Sequence, residues 1–92
     1  MREELVANII SFIKSYFNDN YHTGKIQMFD SRNTAGDILH PIWRDTAADV
    51  VIEYCSDYDC IEIFGLTSEE FDFIDGKVGD NEWKNLIIFQ KS

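Results

Sequence analysis

Cys55 and Cys60, with His22 and His40, are the thiol and imidazole groups of this 92-residue chain, and three chemistries draw on such residues. A structural zinc site usually shows two cysteines two to four residues apart followed by two closely spaced ligands. Here four residues separate the cysteines, but the histidines are 18 residues apart and both precede them, which argues against zinc. Nucleophilic catalysis needs an environment that favours the thiolate, whereas acids lie within two residues on both sides of each cysteine. A disulfide is sterically open to cross-strand neighbours, yet two cysteines do not make the framework of a small secreted domain. Reduced thiols packed in or near a sheet are the expectation.

Carboxylates are the other candidates. Neither Glu53 with Glu62 nor Asp57 with Asp59 has an opposed geometry fixed by sequence, as a pair of acid–base catalysts needs. Asp57-x-Asp59 also lacks the remaining ligands and the glycine of a calcium loop. No phosphate-binding loop, dinucleotide glycine fingerprint or serine nucleophile elbow occurs. The chain is therefore not expected to be an enzyme or to hold a metal or cofactor.

Stronger than any motif is the placement of charge. Seventeen acids against eight bases give a net charge of −9. Residues 1–44 hold five of each sign, and residues 77–92 hold two acids and three bases. From Asp45 to Gly76 there are ten acids and no lysine or arginine, so this segment carries the whole imbalance. Nucleic acid and anionic membrane both attract positive charge, so neither is expected to bind this segment directly. A basic protein surface is the natural complement.

The elements that must position these acids are legible in part. Leu5, Ile9, Phe12, Ile13, Tyr16 and Phe17 recur at helical spacing and predict an amphipathic helix over about residues 2–18. Lys25 to Phe29 reads as a strand and Asp30 to Gly36 as a polar loop. Ile38 to Arg44 reads as a second strand, which Pro41 confines to a sheet edge or a bulge. Asp45 to Ala48 forms a connection. Asp49 to Cys55 and Cys60 to Phe64 are two β-rich runs around Ser56-Asp57-Tyr58-Asp59, a predicted hairpin. Its register pairs Cys55 with Cys60, Tyr54 with Ile61, Glu53 with Glu62 and Ile52 with Ile63. Ile52, Tyr54, Ile61 and Ile63 then share a core face. Glu53 opposite Glu62 is a mildly unfavourable pair, which implies either a solvated face or a cationic partner.

Thr67 and Glu70 form a capping box, with Leu66 and Phe71 as the hydrophobic staple, and predict a short helix over 68–75 ending at Gly76. In the tail, Trp83, Leu86 and Ile87 fit a helix face, whereas the run Leu86 to Phe89 favours a closing strand by propensity, the reading preferred here. The expected fold class is α+β: a single domain over residues 1–92, with the N-terminal amphipathic helix packed on a small antiparallel sheet of three to five strands and a short acidic helix near 68–75. With 45% hydrophobic and 14% aromatic residues the chain is able to build a core. At this length it buries only about 60–65% of its unfolded surface, which leaves little for a deep catalytic cleft. No apolar run approaches the roughly 18–20 residues of a membrane span, and the acidic start lacks the features of a signal peptide. A cytoplasmic location is expected.

Most of the aromatic residues must serve the core. Tyr58, between Asp57 and Asp59 at the predicted hairpin tip, is the exception and suits contact with a basic surface. Phe73 is a second candidate, because Phe71 and Ile74 already define an inner helix face.

The run from Val51 to Phe71, VIEYCSDYDCIEIFGLTSEEF, resembles a segment of small acidic accessory proteins encoded by bacteriophages and mobile elements of Gram-positive bacteria. The resemblance implies a cytoplasmic product that binds and blocks a host factor, as anti-CRISPR and anti-restriction proteins do by presenting acids in place of DNA phosphates. It brings no catalytic residues. The expected function is thus a non-enzymatic binding protein whose contact residues are Asp49, Glu53, Asp57, Tyr58, Asp59, Glu62, Glu69, Glu70, Asp72 and Asp75. Their expected partner is a basic surface of a nucleic-acid-handling host protein. Two alternatives stand beside it: a structural or homo-oligomeric protein, such as a homodimer formed through the Pro41 edge strand and exposed aromatics, and a small metal-dependent regulator using Cys55 and Cys60.

Overall fold

The computed structural model describes residues 1–20, 39–55, 60–79, 83 and 86–91. The strand expected at Lys25 to Phe29, the loop after it and the hairpin tip at 56–59 lie outside the described residues. The element order is α1 (Glu3–Asn20), β1 (Leu39–Asp45), β2 (Val50–Cys55), β3 (Cys60–Phe64), α2 (Ser68–Val78) and β4 (Ile87–Lys91), an α+β fold. The chain divides into two compact units, one containing α1, α2 and Trp83, the other the four strands.

In the helical unit, α1 buries Leu5, Ile9, Ile13 and Phe17 of the expected stripe together with Val6, while Phe12 and Tyr16 are half-buried. The helix runs two residues beyond the expected end. Near that end Asn18 Oδ1 accepts a 2.8 Å hydrogen bond from the Trp83 indole, and the Trp83 ring lies 5.6 Å from that of Phe17. Trp83 therefore belongs to the helical unit and not to the closing strand.

The start of α2 forms as expected. Thr67 Oγ1 accepts from the Glu70 amide at 3.2 Å, and Glu70 Oε1 accepts from the Thr67 amide at 2.9 Å. Its end differs: the helix passes through Gly76 to Val78, and Gly79 follows with φ −69°, so no left-handed glycine terminates it. A mid-helix glycine costs about 1 kcal/mol relative to alanine, whereas burying a valine contributes about 1.5–3 kcal/mol. Val78 is buried four residues after Ile74, and that burial outweighs the glycine.

The sheet has the order β1-β2-β3-β4. The antiparallel β2–β3 register pairs Cys55 with Cys60, Tyr54 with Ile61, Glu53 with Glu62 and Ile52 with Ile63, as the sequence implies. β1 lies at an edge of the described sheet, and its register with β2 shifts between Pro41 and Trp43. The shift falls beside the residue that lacks an amide donor.

The fourth strand corrects the all-antiparallel expectation: β4 runs parallel to β3, with Cys60 beside Ile87 and Phe64 beside Lys91. Parallel neighbours need a long connection, and residues 65–86, which include α2, supply it.

Where β1 turns into β2, Asp45 Oδ1 accepts from the Ala48 amide at 2.9 Å, and Asp49 adopts a left-handed φ of 56°. Gly65 has φ +93°, and a Cβ built there would sit 2.2 Å from the Asp49 carbonyl oxygen. Only glycine fits this junction.

Candidate functional site

The expected contact residues fall in both units. In the sheet unit, directly opposed residues share a face, which places Ile52, Tyr54, Ile61 and Ile63 on one side. All four are buried. Val51, Glu53, Cys55, Cys60, Glu62 and Phe64 lie on the other side, where the register adds Ile87, Phe89 and Lys91. This second face is not uniformly solvated: both cysteines are buried, while Val51, Glu53, Glu62 and Phe64 are half-buried.

The opposed pair Glu53 and Glu62 has a cation from its own chain. Lys91 Nζ lies 3.3 Å from Glu62 Oε1. Because the lysine is half exposed, the pair contributes at most about 1 kcal/mol. Its main effect is to lower the repulsion across the ladder. Arg44, Asp49, Val51, Glu53, Phe64 and Gly65 line a shallow depression of about 450 Å³, in which Asp49 is exposed.

In the helical unit, α2 exposes Glu69, Asp72 and Asp75, spaced three residues apart. On a 3.6-residue helix they lie on the side away from Glu70, Ile74 and Val78, which are buried. Phe73 is 42% exposed, with Lys77 Nζ 5.3 Å from its ring centroid.

Glu70 departs from the expectation. It is fully buried, and its carboxylate is occupied on both oxygens. Arg2 donates through Nη2 to Oε1 at 2.8 Å, and through Nε and its backbone amide to Oε2, each at 2.9 Å. With the Thr67 amide this makes four donors to one carboxylate. The Arg2 guanidinium holds the Glu70 carboxyl far below the usual carboxylate range; burial opposes the shift and the Thr67 amide adds to it. Such a group is structural and offers no charge to a partner. Asp57, Tyr58 and Asp59 lie outside the described residues.

Sequence reasoning missed Arg2, which stands 68 positions from Glu70. The sole available signal was that a buried capping-box glutamate needs a cationic partner. Among the described residues no group of three or more His, Cys, Asp or Glu is placed to hold a metal ion, and no described helix is long and apolar enough to cross a membrane. Comparison with protein-family models, with curated proteins and with solved structures finds no match.

Proposed function

We propose that this chain is a non-enzymatic binding protein that docks a basic surface of a nucleic-acid-handling protein through exposed carboxylates. The observation that carries the reading is the stripe Glu69, Asp72 and Asp75 on α2, inside a segment with no lysine or arginine. Asp49 supplies a further exposed carboxylate in the sheet unit, Glu53 and Glu62 supply half-buried ones, and Asp57 and Asp59 belong to the same acidic run. Regularly spaced anionic groups favour encounter with a groove built to receive phosphates, because complementary potentials steer association. In its most specific form the protein is a cytoplasmic, phage-type inhibitor of the anti-CRISPR or anti-restriction class. The test is capture from nuclease-treated bacterial lysate at low salt, elution by a salt step, and competition with duplex DNA. Recovery of a nucleic-acid-binding protein displaced by DNA supports the reading; recovery that DNA does not displace removes mimicry.

A second reading, self-association, is favoured by Ile87 and Phe89, which are 52% and 46% exposed on β4, an edge of the described sheet. Strand edges with exposed apolar side chains pair readily with a second chain. Sedimentation showing a tight dimer insensitive to salt would establish it in place of charge-driven docking.

A further inference from the structure

Cys55 and Cys60 are the last residue of β2 and the first of β3, directly opposed in the antiparallel register and carried on the same face. Neither is in a disulfide, and both are buried, at 1% and 7% exposure. Directly opposed residues of an antiparallel pair have Cα atoms about 4.5–5.5 Å apart. A disulfide tolerates about 4.4–6.8 Å, so this register is compatible with a bridge between the two thiols. We propose that this pair is a reversible redox latch: oxidation closes a Cys55–Cys60 disulfide that locks the β2–β3 hairpin, and reduction reopens it.

The oxidant is a low-molecular-weight disulfide, such as oxidised glutathione. The Cys60 thiolate attacks one of its sulfurs, forming a mixed disulfide and expelling a glutathione thiolate. The Cys55 thiolate then attacks the Cys60 sulfur and expels the second glutathione thiolate. Two protein thiols are oxidised, one glutathione disulfide is reduced to two thiols, and the two protons leave the cysteines for the two departing thiolates. Cys60, the less buried of the two residues, is the point of entry. The second step is intramolecular at very high effective concentration, so the mixed disulfide does not accumulate.

The latch matters because of what the register holds in place. A slip of one residue in either strand would carry its core residue, Ile52 or Ile63, off the core face and bring Glu53 or Glu62 onto it. A covalent tie at the mouth of the hairpin removes that freedom. The inference is independent of the partner proposed above, since it concerns only the state of the two thiols.

The experiment equilibrates the full folded chain in mixtures of reduced and oxidised glutathione, quenches with acid, alkylates the remaining thiols and weighs the products. The chain has only two cysteines, so a monomer that has lost two hydrogens and takes up no alkylating agent contains this bridge. The expected result is that species, fully reversed by dithiothreitol. The closed ring should raise the folded-to-unfolded ratio by roughly tenfold to a hundredfold in urea titration. In Cys55→Ala, Cys60 should instead accumulate a glutathione adduct. The proposal is overturned by glutathione adducts or disulfide-linked dimers of the unsubstituted chain. It is equally overturned if the folded chain stays reduced in a mixture that bridges the same chain in urea.

Discussion

Arg2 and Glu70 are joined by three hydrogen bonds across 68 positions of sequence, tying the start of α1 to the start of α2. The arginine is 43% exposed, while the glutamate side chain is fully buried. The pair is thus asymmetric. Removing Arg2 leaves a carboxylate buried without its cation, whereas removing Glu70 releases an arginine that water can still solvate. Arg2→Ala should cost about 2–4 kcal/mol, toward the lower end of the range for breaking buried ion pairs because Arg2 is partly solvated. Arg2→Lys should recover only part of that loss, since an ammonium cannot present the guanidinium fork. Urea unfolding of the two variants checks both values.

The same carboxylate sets an acid limit on stability. Its pKa in the folded chain lies far below its ordinary value of 4.5, so the folded state favours the ionised form more than the unfolded state does. The resulting stabilisation is fully present above the unfolded pKa and is lost as pH falls below it toward the depressed folded value. Stability should therefore decline progressively below about pH 5. Glu70→Gln, which keeps the shape and removes the titration, should flatten that decline while lowering stability at neutral pH. A slope as steep in the variant as in the parent chain would assign the acid limit to other groups.

Gly65 gives a conformational prediction. Its φ of +93° disfavours any side chain, and an added Cβ would press on the Asp49 carbonyl oxygen at 2.2 Å. Gly65→Ala should cost about 3 kcal/mol or more, combining the strained backbone with a forced movement of the β1–β2 turn. Asp49→Gly relieves the left-handed φ of 56° in the β1–β2 turn. It should be neutral or slightly stabilising, because asparagine, aspartate and glycine all tolerate that region. Thermal melts of the two variants should move in opposite directions or differ by at least several degrees.

Local signals in the sequence carried most of the fold, and the failures have a common cause. The α1 stripe, the Thr67 cap and the β2–β3 register are written in short-range patterns: helical spacing, a four-residue motif, and alternation around a turn. Gly76 as a helix end was also a local reading, and it failed because the burial of Val78 is decided by tertiary packing. The parallel direction of β4 is a long-range pairing with β3, which no propensity encodes. For the candidate site, the sequence counted ten acids without distinguishing their environments. Neighbouring Glu69 and Glu70 look equivalent as letters, yet one is exposed and the other is the most occupied carboxylate described.

That distinction supplies the sharpest test of the binding surface. Glu69→Gln and Glu70→Gln remove the same single negative charge at adjacent positions, so a partner attracted by net charge alone responds equally to both. A partner that reads the exposed stripe responds to the first and not to the second, provided binding is measured well below both melting temperatures. Reversal of the stripe, Glu69→Lys with Asp72→Lys and Asp75→Lys, should weaken binding at least tenfold and reduce its salt dependence, because complementary charge acts on the encounter rate. Its effect on folding should stay within about 1 kcal/mol. Glu69 loses a favourable place near the helix N-terminus, but a lysine at position 75 suits the C-terminal half. Asp49→Lys reports on the sheet unit separately, and a loss confined to one of the two variants locates the contact in that unit. Retention of full affinity in the triple variant together with Asp49→Lys would exclude the exposed acids of α2 and the β1–β2 turn as the docking surface.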